Sequence, residues 1–188
     1  RVLFRSFDST IQSAIRGDLP AALTAFFTKV THVMDTKIIV IWVGLLLAVF
    51  AYKKWYSEAL FLGSNLVLTA LLVLLLKNIY QRPRPSILHL VEEKGFSFPS
   101  GHSLASSLVL GSLIIIISQH VKHKTARFCL QGLLVLGIVT IVVSRVYVGV
   151  HYPSDVLGSM ILGLAVLQFE YPLYDRLRFQ WRFTGKQK

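Results

Sequence analysis

The chain has 188 residues, 54% of them hydrophobic and only 15% charged. A soluble domain carries roughly 25% charged residues, so this composition, with a mean hydropathy of +0.60, excludes an ordinary soluble protein and points to a polytopic membrane protein. The formal net charge of +11 then implies basic loops beside anionic lipid headgroups. No basic run interleaved with aromatics lies in a polar segment, which argues against nucleic acid as a partner.

Residues 1–37 are the most polar stretch, with Arg1, Arg5, Arg16, Lys29 and Lys37 partly balanced by Asp8, Asp18 and Asp35. Within it, "LPAALTAFFTKVTHVM" (19–34) is mildly amphipathic and reads either as a helix lying at the membrane surface or as a connecting segment. Five uncharged stretches follow: 38–52, 59–76, 103–119, 128–144 and 156–169. A helical span needs about 20 mostly apolar residues. The middle three reach that length with their flanks, and the first and last do so if Lys37, Lys53 and Glu170 sit at the interface. The expected fold is an all-α bundle of membrane helices in one domain, with spans and chemistry in 38–170 and a basic tail in 171–188. The lone cysteine, Cys129, lies in an apolar run and cannot form an intramolecular disulfide.

Alternating through five spans places three basic groups on one face: Lys53–Lys54, then Lys122, Lys124 and Arg127, then the tail with Arg176, Arg178, Arg182, Lys186 and Lys188. Lys/Arg asymmetry assigns that face to the cytoplasm. The outer face receives residues 1–37, the long 77–102 connection and the short 149–153 turn. A polar segment outside, ahead of the first span, predicts a sixth helix upstream of Arg1.

Three clusters share this outer face. The first, "KNIYQRPRP" (77–85), ends a span and follows it with two Arg-Pro pairs, which forbid helix continuation. Lys77, Arg82 and Arg84 are either membrane-surface anchors or a donor array for an oxyanion. The second, "FSFPSGHS" (96–103), has Ser100 as the expected N-cap of the next span. Gly101 there permits close approach to free helix N–H groups, and His102 sits in the first turn, either as a proton donor or as an incidental histidine of a capped helix. The third, "SRVYVGVHYPSD" (144–155), carries Arg145, His151 and Asp155. If a helix begins by His151, the i, i+4 spacing puts Asp155 on the same face, where it would bond one ring nitrogen and leave the other as a nucleophile. The bland reading makes Asp155 a helix-start carboxylate and His151 an interfacial residue. Three cations, a helix N-terminus, two histidines and a carboxylate on one face match what in-line displacement at phosphorus requires. No Cys/His/Asp/Glu set has metal-ligand spacing, and no Walker-type glycine loop is present, so neither metal nor cofactor is expected.

These residues resemble the type 2 phosphatidic acid phosphatase superfamily of membrane lipid phosphatases. Its signature, Lys-x6-Arg-Pro, Pro-Ser-Gly-His and Ser-Arg-x5-His-x3-Asp, is matched in order. The matching residues are Lys77 with Arg84-Pro85, then Pro99-Ser100-Gly101-His102, then Ser144-Arg145, His151 and Asp155. The spacing selects Arg84 over Arg82. The resemblance covers about residues 38–170 and implies a six-helix, metal-independent enzyme. It implies that His151 forms a phosphohistidine, that Asp155 orients it, and that His102 protonates the leaving oxygen. It implies further that Lys77, Arg84, Arg145, Ser100 and Gly101 hold the phosphoryl oxygens.

The expected function is therefore hydrolysis of a lipid phosphate or diphosphate at the outer face of a cytoplasmic membrane. Undecaprenyl diphosphate is favoured, with phosphatidylglycerol phosphate or phosphatidic acid-type lipids as alternatives. The 77–102 loop, with Glu92, Glu93 and Lys94, is expected to border the entrance and bear on headgroup choice. A transporter would carry such charges within its spans and not at helix ends. A non-catalytic lipid-binding protein would not need His102, His151 and Asp155 intact. The soluble vanadate-dependent haloperoxidases share the signature but not the five spans.

Overall fold

The structure, a computed structural model, describes residues 4–188, so Arg1 lies outside the described residues. Those residues form helices and connections without strands. Two short helices come first, α1 (Arg5–Arg16) and α2 (Ala21–Thr31), then α3 (Thr36–Tyr52) and α4 (Tyr56–Tyr80). A helix-free loop leads to α5 (Gly101–Ala105), which runs through a π-helical turn (Ser106–Leu110) into α6 (Gly111–His120). The chain closes with α7 (Lys124–Tyr147) and α8 (Pro153–Phe183).

Four helical rods are long and apolar enough to cross a membrane: Tyr56–Tyr80, Gly101–His120, Lys124–Tyr147 and Pro153–Phe183. The expected first span is α3, whose 17 residues reach only about 25 Å. It qualifies as a crossing together with Ala21–Met34, from which it is bent by 56°. Residues 19–34 are thus largely helical rather than a plain connector.

Every rod outruns its uncharged stretch, because a helix ends where the backbone breaks and not at the first charge. Thus α4 continues past Lys77 until Gln81 takes a left-handed φ of 44°. The last span is corrected most: α8 runs 31 residues through Pro172, so much of the expected tail is helix.

The Gly101–His120 rod is the central element. Two thirds of its most apolar window is buried (67%), against 17–22% for the other three rods. Leu104, Leu108 and Val109 are fully enclosed among Leu62, Val43 and Phe61. Gly163 of α8 makes this packing possible: a Cβ there would stand 2.6 Å from the Cβ of Ser107 in the π turn. The outer helices turn Ile41, Leu45, Leu74, Leu133 and Ile161 outward, each more than 60% exposed. Exposed apolar area is unfavourable in water by about 25 cal/mol per Å² and is satisfied in hydrocarbon. With backbone groups bonded inside helices, this is the architecture a bilayer permits.

Both ends of the bundle are tied by polar contacts. At one end, His120 Nε2 donates to buried Glu58 at 2.8 Å, the Gln187 side chain bonds Ser57, and Lys188 N–H donates to Lys54 C=O. This gathers the 53–57 turn, the end of the central rod and the C-terminus. At the opposite end lie the 81–100 loop, the 148–152 turn, α1 and the start of α3. Arg16 of α1 donates to Tyr147 C=O at 3.0 Å and to Leu88 C=O at 2.8 Å, closing loop and turn together. Gly149 (φ +84°) allows this, since a Cβ there would come within 2.6 Å of Leu88 O.

Candidate active site

At the end bearing α1 and the 81–100 loop, a cavity of about 780 Å³ opens between α3, α4, the start of α5 and the loop. Its inner wall is apolar, with Ile39 and Val40 of α3 facing Leu66, Ala70 and Val73 of α4. Its mouth is polar, lined by Lys77, Glu93, Gly101, His102 and His151. All three sequence clusters therefore meet at one cavity, but their residues do not all face it.

Lys77 lines the cavity from the last turn of α4 and makes no side-chain hydrogen bond or ion pair among the described residues. The two loop arginines diverge. Arg84 turns toward His151, placing Nη1 3.5 Å from its Nε2. It also organises the loop, donating to the carbonyls of Gly95 (3.1 Å), Lys94 (2.9 Å) and Val150 (2.8 Å). Arg82 points away, bonds Asp155 and Asp8, and stacks on the Tyr152 ring at 4.2 Å.

Ser100 caps α5 as expected, its Oγ accepting from the Ser103 N–H and hydroxyl. It is fully buried, and its own N–H donates to Ser159 Oγ at 2.9 Å. Capping and the α8 contact engage Ser100, and it does not line the cavity. Gly101 and His102 do line it, at helix positions whose N–H groups have no intrahelical partner. His102 donates from Nε2 to Asp35 Oδ1 at 3.0 Å, and Asp35 also accepts from His32 Nδ1 at 2.6 Å.

His151 is almost wholly buried, with its backbone carbonyl accepting from Gln12 of α1. The expected direct bond from Asp155 is absent. The reason is the helix start: α8 begins at Pro153 with Tyr152 as N-cap, so His151 lies outside the helix and the i, i+4 geometry does not apply. Asp155 instead accepts from Ser97 Oγ, Arg82 and the Tyr152 N–H. Ser97 Oγ lies 3.5 Å from His151 Nδ1, so the carboxylate reaches the ring through a hydroxyl. Read by donors, the chain runs from His151 Nδ1–H to Ser97 Oγ–H to Asp155. That fixes the tautomer and leaves the Nε2 lone pair on the side of Arg84 and Lys77. Burial first, then the charges of Arg145, Arg84 and Lys77, hold His151 well below its ordinary pKa, so the ring is neutral.

Arg145 is 1% exposed and does not line the cavity. It donates from Nη1 to Thr31 at 2.5 Å and from Nη2 to Glu93. Ser97, Asp35 and Thr31 are the site residues that sequence reasoning did not assign; Glu93 was expected at the entrance, but not on Arg145 and Arg84. Ser97 carried the only local signal, a small polar residue between Phe96 and Phe98 directly before Pro-Ser-Gly-His. Asp35 lies 67 positions from His102 and Glu93 lies 52 from Arg145, so those partnerships leave no spacing to read.

The chain matches the PAP2 superfamily over residues 58–179, which spans all three clusters. It is 34% identical to phosphatidylglycerophosphatase B of Bacillus subtilis, covering 76% of this chain and 70% of that one. It is 30% identical to undecaprenyl-diphosphatase BcrC of the same organism, covering 74% and 71%. Among solved structures, it superposes with a TM-score of 0.85 and 25% identity on the transmembrane PAP2-type phosphatidylglycerolphosphate phosphatase from Bacillus subtilis, covering 94% of this chain and 88% of that one. With the helical bundle, the cavity where the three clusters meet and the three-part signature, these likenesses establish that the chain belongs to the PAP2 superfamily of membrane phosphatases.

Proposed function

We propose that this protein removes the terminal phosphate of a membrane lipid phosphate or diphosphate through a phosphohistidine on His151. The observation that carries the reading is the relay from Asp155 through Ser97 to a buried, neutral His151, beside a cavity that also presents His102 and Lys77. His151 Nε2 attacks phosphorus as the bond to the lipid oxygen breaks, and His102 gives that oxygen its proton. Water then attacks the phosphorus as the phosphorus–nitrogen bond breaks and returns its electron pair to His151 Nε2; His102 takes a proton from that water, and inorganic phosphate leaves. Lys77, Arg84, Arg145 and the N–H groups of Gly101 and His102 hold the charge that builds on the phosphoryl oxygens. Ser100 serves indirectly, by fixing the helix start. The roles need no metal, because cations of the chain supply the charge stabilisation.

The apolar wall between α3 and α4 suits a lipid chain, and the named relatives act on two headgroups. Undecaprenyl diphosphate is the favoured substrate, because the extra charge of a diphosphate suits three clustered cations; phosphatidylglycerol phosphate is the alternative. The Lys/Arg asymmetry supports a site at the outer leaflet, with the 53–57 turn and C-terminus in the cytoplasm. The test is phosphate release by purified protein in chelator, comparing undecaprenyl diphosphate, phosphatidylglycerol phosphate and phosphatidic acid. Release from at least one, lost in His151→Ala, is expected. No release from any of them, or release only after Mg²⁺ is added, would overturn the reading.

A further inference from the structure

Two of the three cations that should receive phosphate, Arg84 and Arg145, are already occupied by an anion of the chain itself. Glu93 presents Oε1 to Arg145 Nη2 and Oε2 to Arg84 Nη2, the latter at 3.4 Å. Both arginines are enclosed, with 1% and 8% of their side chains exposed, whereas Glu93 keeps 26%. Glu93 lines the cavity and neither arginine does. The carboxylate thus stands between the cavity and its two strongest anion donors, while the Arg145 Nε remains buried without a partner. Glu93 is also placed to leave. Its neighbours Glu92 and Lys94 are exposed, and the loop is pinned on either side by Leu90 N–H to Val148 C=O and Ser97 N–H to Arg82 C=O. The side chain can swing outward without disturbing the core.

We propose, on the phosphatase reading above, that Glu93 is a resident anion which an incoming phosphate must displace, and that this makes the site select by charge. A phosphomonoester carries roughly −1.5 to −2 charge at pH 7 and three free oxygens, and a terminal diphosphate carries at least as much. Either gains more from two enclosed arginines than one carboxylate gives up. A phosphodiester carries a single charge and two free oxygens. Exchanging Glu93 for it replaces one monoanion by another and leaves the headgroup's second substituent to be accommodated. The bilayer around this cavity is made largely of phosphodiester lipids in vast excess over any monoester. Without a resident anion, they would occupy the arginines as unreactive competitors.

The test uses the full-length protein in mixed micelles, with a short-chain phosphatidic acid as the hydrolysed monoester. Phosphatidylglycerol, a phosphodiester, is titrated against a phosphate-free glycolipid. Glu93→Gln keeps the shape and removes the charge, and Glu93→Ala serves in parallel should Gln fail to yield folded protein. Asp18→Asn removes one negative charge from an exposed position outside the cavity, in the connection between α1 and α2, and controls for surface potential. Wild type and Asp18→Asn are expected to change apparent KM less than about twofold across the titration. Glu93→Gln should show a lower KM without phosphatidylglycerol and a roughly tenfold rise as it is added, the size of one charged hydrogen-bond partner gained or lost. Equal sensitivity in all three proteins would overturn the filter. So would a raised KM in Glu93→Gln with no phosphodiester inhibition, which marks Glu93 as a brace for the arginines. Turnover by wild type and its loss in His151→Ala test the phosphatase reading separately, so failure of one is not mistaken for failure of the other.

Discussion

Ser97→Ala tests the relay on which the nucleophile assignment rests. Ser97 is fully buried, and among the described residues its hydroxyl is the only group joining His151 Nδ1 to Asp155. Alanine removes that oxygen and leaves one side chain of nearly equal size. Asp155 keeps Arg82 and the Tyr152 N–H, but the His151 Nδ1–H is stranded in a dry site. An unsatisfied buried donor costs about 1–3 kcal/mol. The ring escapes that cost by taking the other tautomer or rotating toward Arg84, and either movement removes the Nε2 lone pair from its line of attack. With tenfold in rate per about 1.4 kcal/mol, kcat should fall roughly 10- to 100-fold. KM should stay within about twofold, because Ser97 does not line the cavity. The assay is steady-state phosphate release from a single lipid monoester, with thermal unfolding in detergent to confirm that the variant is folded. A kcat within twofold of wild type, in a preparation where His151→Ala is inactive, would falsify the relay and require Asp155 to act on His151 in another way.

Three further outcomes follow from the same geometry. Asp35→Asn should lower kcat about tenfold for alkyl phosphates yet barely affect an aryl phosphate, whose leaving group needs no proton; equal losses on both would make Asp35 a packing residue. The depressed pKa of His151, caused by burial and then by Arg145, Arg84 and Lys77, should place the acid limb of kcat/KM below pH 6.5, and Lys77→Met should move that limb upward. The linked stability has the same sign: below about pH 6.5 the unfolded histidine binds a proton that the folded one refuses, so the unfolding temperature should fall with pH and fall less in His151→Ala. Asp8→Asn should destabilise the protein by about 1.5–3 kcal/mol, because Asp8 is buried and accepts from Arg82 and from the Ser154 N–H and hydroxyl. Since Arg82 is shared with Asp155, a cycle of Asp8→Asn with Asp155→Asn should be non-additive in unfolding free energy, and strict additivity would separate the two carboxylates.

Much of this molecule is readable in its sequence, for reasons that differ by level. The helical class follows from long uncharged runs, but their lengths do not give helix ends. Lys77 and Lys124 lie inside helices because flexible cationic side chains reach the interface while the backbone continues. The three clusters are legible because phosphoryl transfer draws on few side-chain types, each fixed by a proline or glycine that shapes the local backbone. Contacts made across the chain are another matter. Asp155 was read as a direct partner of His151 from a helical spacing that Pro153 shifts by two residues, and the hydroxyl that bridges the resulting gap comes from a different loop. Asp35 looks in the sequence like a surface charge, and Glu93 like one carboxylate among others at the entrance. Only the fold reveals one beside His102 and the other on Arg145.

The N-terminal segment shows how far this reaches. Its charges looked like a solvated prelude to the first span, yet Asp8, Gln12 and Arg16 sit one helical turn apart, on one stripe of α1. Each holds a different piece of the third cluster: Asp8 the start of α8, Gln12 the His151 carbonyl, and Arg16 the end of α7 together with Leu88 of the loop. The turn between these two membrane helices is packed by the fully buried Val148 and Val150, but its polar backbone groups need partners as well. Three residues of a surface helix supply those partners, which leaves the partly exposed Glu93 side chain as the part that can respond to a ligand. On this account α1 belongs to the catalytic unit as much as the helices that carry its signature residues do, and a chain shortened through Arg16 should lose turnover even where its spans still assemble.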